Sequence, residues 1–268
     1  MMRQEAGKLT QERFMQTTAE RAVTRVISSM YENLGEEITI DDMAETAMFS
    51  KFHFTRMFKN MTGTSPGRFL SALRLQEAKR LLVSTELNIA DISNIVGYQS
   101  VGTFSSRFKS SVGLAPTTYR QLGGYTPRIN MAGTGPGRTR SALLRGTVRA
   151  SEGTAPGPVF IGLFAGCIPQ GQPSRCAVLD RPGPYVLEDV PYGTWHVLVQ
   201  SVPYGMEEVD GAESDTAPSI GAYGPVTVNA DTVAKPADID LRPMGTLDPP
   251  VLLALLDMRM AALEAIAG

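Results

Sequence analysis

Thiols and imidazoles are scarce in this chain of 268 residues, which holds two cysteines and two histidines. Cys167, Cys176 and His196 all lie in the second half, where a Cys/His pair would supply a nucleophile and a base for acyl or alkyl transfer. A single imidazole beside Trp195 is more often a structural group. The two cysteines could form one bridge but are too few for a disulfide framework. His53 has no companion metal ligands nearby in sequence, so it reads as a surface or groove-lining side chain.

Charge offers a second kind of chemistry. The net charge of −2 hides a split: residues 1–126 hold 15 basic and 12 acidic side chains (+3), and residues 127–268 hold 10 and 15 (−5). No acid lies between Asp91 and Glu152, while Arg107, Lys109, Arg120, Arg128, Arg138, Arg140, Arg145 and Arg149 all fall there. A second acid-free window, between Glu45 and Glu77, holds Lys51, Arg56, Lys59, Arg68 and Arg74. Such stretches attract phosphates by releasing counterions, although a merely solvated basic face has the same composition.

The elements that must position these residues are helical in the first half. From Glu20 to Leu34, Ala22, Val23, Val26, Ile27, Met30 and Tyr31 recur at spacings of three and four until Gly35 interrupts them, which predicts an amphipathic helix. A unit then appears twice. Ile40, Met43, Ala44, Ser50, Phe54, Phe58, Lys59, Gly63 and Pro66 are matched by Ile89, Ile92, Ser93, Ser100, Phe104, Phe108, Lys109, Gly113 and Pro116. The offset grows by one residue before the serine, so the second copy has the longer turn. Each copy reads as helix, tight turn, helix. Ser50 and Ser100 stand where an N-cap belongs, and Gly63 and Gly113 where a helix should stop. Between the copies, residues 66–84 read as one connecting helix, ~28 Å long at ~1.5 Å per residue. That length suits two recognition helices set about one ~34 Å turn of DNA apart.

The chain is long enough for two domains at ~100–200 residues each. Its hydrophobic fraction of 43% and charged fraction of 19% fit a soluble globular protein, with no apolar run long enough to span a membrane. Residues 1–20 are polar and charged and do not read as a signal peptide, so the cytoplasm is the expected location. Residues 123–140 turn rich in Gly, Pro, Thr and Arg and read as a flexible basic linker. Strand-like runs follow at 141–150, 159–164, 177–179, 185–187, 195–202, 226–228 and 239–241. Their Gly and Pro punctuation predicts a β-sandwich over 141–246. A final helix is expected from Pro250 to Ile266, within a C-terminal segment of 248–267.

The duplicated unit, with Phe104 to Lys109 followed by Gly113, Leu114, Ala115, Pro116, Tyr119 and Arg120, resembles the DNA-binding domain of the AraC/XylS family of transcription regulators over residues 18–122. The resemblance implies seven helices and two recognition helices in adjacent major grooves. Carried over by position, Lys51, Phe52, His53, Thr55 and Arg56 of the first recognition helix would face bases. Val101, Gly102, Thr103 and Ser106 would do so in the second. Phosphate contacts would come from Ser50, Lys59, Ser100, Arg107, Lys109 and Arg120. Arg56 is the favoured base reader, because a guanidinium donates two hydrogen bonds to guanine O6 and N7. The sequence departs from the family at Ser106, where arginine is usual, and at Gly102, which has no side chain, so the second helix should read fewer bases. Family members also more often carry this domain at the C-terminus.

The second half resembles transthyretin-like or carboxypeptidase-regulatory-like sandwiches through Gly146 to Val148, Pro182 to Leu187 and Val190 to Trp195. The expected partners are double-stranded DNA, RNA polymerase, a small-molecule effector and a second copy of the chain in a homodimer, without membrane, metal or cofactor. The competing readings are an enzyme that uses Cys/His chemistry while tethered to DNA, and a protein-docking module without a small ligand.

Overall fold

The computed structural model describes residues 2–124, 142–151, 157–201, 218–229 and 234–252, with backbone alone for 2–16 and 234–235. In the first half the helices are α1 (Met2–Glu32), α2 (Ile40–Ala47), α3 (Lys51–Thr62), α4 (Pro66–Ser84), α5 (Ile89–Ile95), α6 (Val101–Val112) and α7 (Pro116–Gln121). Both expected helix-turn-helix pairs are present, as α2–α3 and α5–α6.

Local chemistry explains where these helices begin and end. Thr39 and Asp42 form a capping box at α2, each side chain accepting from the other's backbone N–H, at 3.2 and 2.8 Å. The Thr39 hydroxyl and then its N–H hold the Asp42 carboxyl below the usual carboxylate range. Gly63 and Gly113 end α3 and α6 in the left-handed region, and Pro66 and Pro116 open the helices that follow. Ser100 caps α6 by accepting from the Thr103 N–H at 3.1 Å. Ser50 occupies the same position on α3 but makes no cap bond, which departs from the sequence expectation. α1 also begins much earlier than the apolar stripe from Glu20 indicated.

The turns differ in the way the extra residue suggests. Gly97, after α5, takes φ +78°, and a Cβ there would lie 2.4 Å from the Leu34 carbonyl oxygen. Its counterpart, 49 positions earlier, is Met48, left-handed at φ +59° with its side chain 75% exposed.

Each unit has its own core, and α4 serves both. Phe69, Leu70 and Leu73 pack with α1–α3, while Ala72, Leu75, Ala78, Leu81 and Leu82 pack with α5–α7. Arg74 ties α4 to the α1–α2 connection by donating to the Leu34 and Glu36 carbonyls at 2.9 and 2.6 Å.

The second half contains β1 (Ala142–Ala150), β2 (Val159–Phe164), β3 (Cys176–Leu179), β4 (Pro184–Val190), β5 (Gly193–Ser201), β6 (Ser219–Val228), β7 (Ala234–Pro236) and β8 (Ile239–Pro243). They form one hydrogen-bonded path, β3-β2-β5-β6-β8-β1-β4, with β7 beside β1. Most pairs are antiparallel, but β1 runs parallel to β8 from Val148 to Ala150. Inward residues from both ends of the path, among them Ile161, Val197, Leu144 and Leu187, share one core. The sheet is therefore nearly barrel-shaped, where the sequence led us to expect two packed sheets. Alternating hydrophobicity reports which side chains point inward; it does not report which strands pair, least of all across a parallel contact between distant segments.

Most strand positions agree with the sequence reading. β6 begins at Ser219, earlier than expected, because Gly221, Ala222 and Gly224 dilute its apolar pattern, and β7 was missed. Arg149, counted in the basic window, is paired within the sheet to Asp238 and Asp240 at 2.7 and 3.5 Å. The Thr147 N–H and then Arg149 hold the Asp238 carboxyl below its usual range. The expected linker beyond Gly124 and the expected C-terminal helix beyond Leu252 lie outside the described residues.

The two halves touch through the β2–β3 loop and the segment after β8. The Cys167 thiol donates to the Gly63 carbonyl at 2.8 Å, and the Gly171 N–H donates to the Ser111 carbonyl at 2.6 Å. Leu247 packs on the first helical core, and Leu252 is fully buried in the second.

Candidate nucleic-acid interface

Each recognition helix stands on a short aromatic ladder. Phe54 and Phe58 of α3 meet edge-on at 5.6 Å, and Phe58 meets Phe69 of α4 at 5.4 Å. Phe104 and Phe108 of α6 lie 5.7 Å apart, and Phe108 lies 5.4 Å from Tyr119 of α7. These rings are 0–1% exposed. Burying each stabilises by roughly 1.5–3 kcal/mol, so each helix has one firmly committed face. The opposite face is thereby held towards solvent.

On α3 that solvent face carries Lys51, Phe52, His53, Arg56, Lys59 and Asn60. Lys51 pairs with Asp41 at 2.8 Å, which offsets its charge in the free protein. Phe52 is 80% exposed. His53 tilts over Phe49, with ring centroids 5.0 Å apart. Thr55 is half-buried, and its hydroxyl donates back to the Lys51 carbonyl at 2.8 Å. Arg56 and Lys59 are exposed and make no ion pair among the described residues.

The α6 face is plainer. Val101, Gly102, Thr103, Ser106, Arg107 and Lys109 are exposed. The Ser100 hydroxyl donates to Thr103 Oγ1 at 3.0 Å, so those two groups partly satisfy each other. Ser106 takes the position that Arg56 holds on α3, and Arg107 takes that of the buried Met57, on the flank of the helix. Neither helix contains an acid.

Arg120, expected at phosphate, is half-buried against α4. Its Nε donates to the Leu82 carbonyl at 3.0 Å and one terminal nitrogen is buried without a partner, so it braces the end of α4. A tyrosine-arginine pair placed after a proline-led turn looks in sequence like a surface cation. Two contributors were missed. Asn60 follows Arg56 by one helical turn and shares its face, a spacing legible in the sequence. Asp41 neutralises Lys51 from another helix, which sequence spacing does not reveal.

The two thiols of the sheet domain lie in different surroundings. Burial pushes the Cys176 thiol above its usual range, and the Cys167 thiol donates to the Gly63 carbonyl. Among the described residues no cluster of three or more His, Cys, Asp or Glu could hold a metal, and no helix is long and apolar enough to cross a membrane.

Two helix-turn-helix units joined by a spine helix define a DNA-binding module, and comparison with known proteins agrees. A family described as "Helix-turn-helix domain" matches residues 43–122. The raffinose operon transcriptional regulatory protein RafR of Pediococcus pentosaceus is 35% identical over 95 residues, which are 35% of this chain and 34% of RafR. A solved AraC-type transcriptional regulator from Chromobacterium violaceum is 30% identical, with a TM-score of 0.38, covering 39% of this chain and 93% of that one. The DNA-binding domain of AdpA, solved with a target DNA, is 26% identical, with a TM-score of 0.37, covering 37% and 90%. Residues 43–122 thus match a helix-turn-helix domain family, and this half of the chain is similar to AraC-type regulators. The chain spans about a third of the length of the first curated relatives it matches, and the family match ends at residue 122, before the sheet domain.

Proposed function

We propose that this protein is a cytoplasmic, sequence-specific transcription regulator that grips double-stranded DNA with α3 and α6, and whose sheet domain senses a small molecule or pairs subunits into a homodimer. The observation that carries this reading is the pair of acid-free helix faces, each locked outward by an aromatic ladder inside an AraC-type domain. On this reading Lys51, Phe52, His53, Thr55 and Arg56 meet base edges, and Val101, Gly102, Thr103 and Ser106 make a weaker second contact. Ser50, Lys59, Ser100, Arg107 and Lys109 meet phosphates, which position the protein without specifying sequence. RNA polymerase is the partner through which occupancy changes transcription, and no enzymatic step is required.

Duplexes selected from a random pool by the full chain, followed by mobility shifts across a salt series, test the reading. A preference of at least ~10³ over random DNA, with affinity falling steeply as salt rises, is expected. Equal affinity for selected and random duplexes would overturn it.

A further inference from the structure

The outer face of a sheet that wraps one core ordinarily meets water and is polar. Here that face is apolar along β2 and β6, and β5 adds Leu198 between His196 and Gln200. Phe160 and Phe164 are 3% and 6% exposed and pack with Leu198, Cys176, Val178 and Val251. Above this face a cavity of about 420 Å³ opens against the end of α3, which contributes Met61, Thr62 and Gly63 to its wall. That volume lies in the ~300–1,000 Å³ range of small-molecule sites.

We propose that this cavity binds an uncharged, largely apolar small molecule, and that its occupant sets how α3 is presented to DNA. The second clause rests on the reading of α3 as a DNA-reading helix; the first does not.

The charges in the wall select against an ionic ligand. Arg242 is held by both oxygens of Asp248, at 2.6 and 2.5 Å, and Asp240 is reached by Arg149. A carboxylate or ammonium would lose its hydration and find no unpaired counter-charge. Hydrogen-bonding capacity is nevertheless present. Gln200 lines the cavity with a neutral side-chain amide whose Oε1 is buried without a partner in the free protein. The His196 imidazole is also in the wall. The matching ligand is an aromatic or aliphatic body with one or two neutral polar groups.

Coupling to DNA follows from the wall itself. Cys167 lines the cavity and grips the carbonyl of Gly63, the residue that ends α3. The same loop holds Ser111 of α6 through Gly171. A molecule lodged here touches the end of one recognition helix and the loop that joins it to the other. It changes DNA affinity to the extent that it prefers one arrangement of that loop.

The test uses the full chain and N-phenyl-1-naphthylamine, a neutral apolar fluorophore. Saturable one-to-one binding is expected, weakened at least tenfold by Leu198→Trp and by Ala222→Trp, which fill the cavity from two strands. Saturating fluorophore should also shift affinity for a selected duplex severalfold in the parent protein and not in the filled variants. Thermal melts check folding; Ala222 is exposed on its strand, so Ala222→Trp carries the test should Leu198→Trp fail to fold. Absence of saturable binding by the parent chain, or undiminished binding by the filled variants, would overturn the site. Binding that leaves DNA affinity unchanged would overturn the coupling. A chain that takes up the fluorophore but prefers no duplex would instead count against the proposed function and leave the site standing.

Discussion

The two helix-turn-helix units are built on one skeleton and present different surfaces. Rings recur at matching positions, with Phe54, Phe58 and Phe69 repeated as Phe104, Phe108 and Tyr119, and centroid spacings agree to within about 0.1 Å. The exposed faces diverge: α3 offers a guanidinium, an imidazole and a phenyl ring where α6 offers Ser106, Thr103 and Gly102. Core packing constrains volume and shape at each ring, whereas an outward position is constrained only by what it must touch. The two units share one stand and differ in the surface it presents.

If the skeletons are equivalent, Phe58→Ala and Phe108→Ala should cost the same, about 3–5 kcal/mol each, in urea unfolding of the full chain. A difference above ~2 kcal/mol would mean that one unit leans on the sheet domain more than the other. The turns should respond in opposite directions. Gly97→Ala forces a left-handed Cβ against the Leu34 carbonyl and should lose more than about 2 kcal/mol, whereas Met48→Gly should gain about 0.5 kcal/mol, since it trades left-handed strain for chain entropy.

The reading surfaces sharpen the contrast further. Arg56→Ala should weaken binding to the preferred duplex by about 1–3 kcal/mol and relax sequence choice, while Ser106→Ala changes little. Arg107→Ala should weaken all duplexes alike and reduce the salt slope. Equal losses from Arg56→Ala on selected and random DNA would remove it from the base-reading set. The smallest difference lies at the caps. Ser100→Ala should cost about 1 kcal/mol in a thermal melt, and Ser50→Ala a few tenths, because only Ser100 caps its helix.

Much of the helical half was legible in the sequence because its determinants are local. Apolar spacing, the two glycine stops and the proline starts placed α3, α4 and α6 closely, and the one-residue difference between copies located the turn where Gly97 and Met48 diverge. What escaped was set at a distance. The Asp41 carboxylate beside Lys51, the inward turn of Arg120 and the docking of Leu247 and Leu252 all join segments that no short window spans. The sheet was readable as strands but not as a closed path, since pairing depends on contacts between remote segments. Ser50 is instructive in another way: residue type and position both predicted a cap, yet its side chain does not make one.

The burial of Leu252 among the side chains of α4 to α7 bears on the order of events during synthesis. The helical half is translated first, but one of its core residues emerges about 130 positions after α7 ends. At ~5–20 residues per second that interval is on the order of ten seconds. A nascent chain therefore carries both helix-turn-helix units over an unfinished interior until Leu252 has emerged.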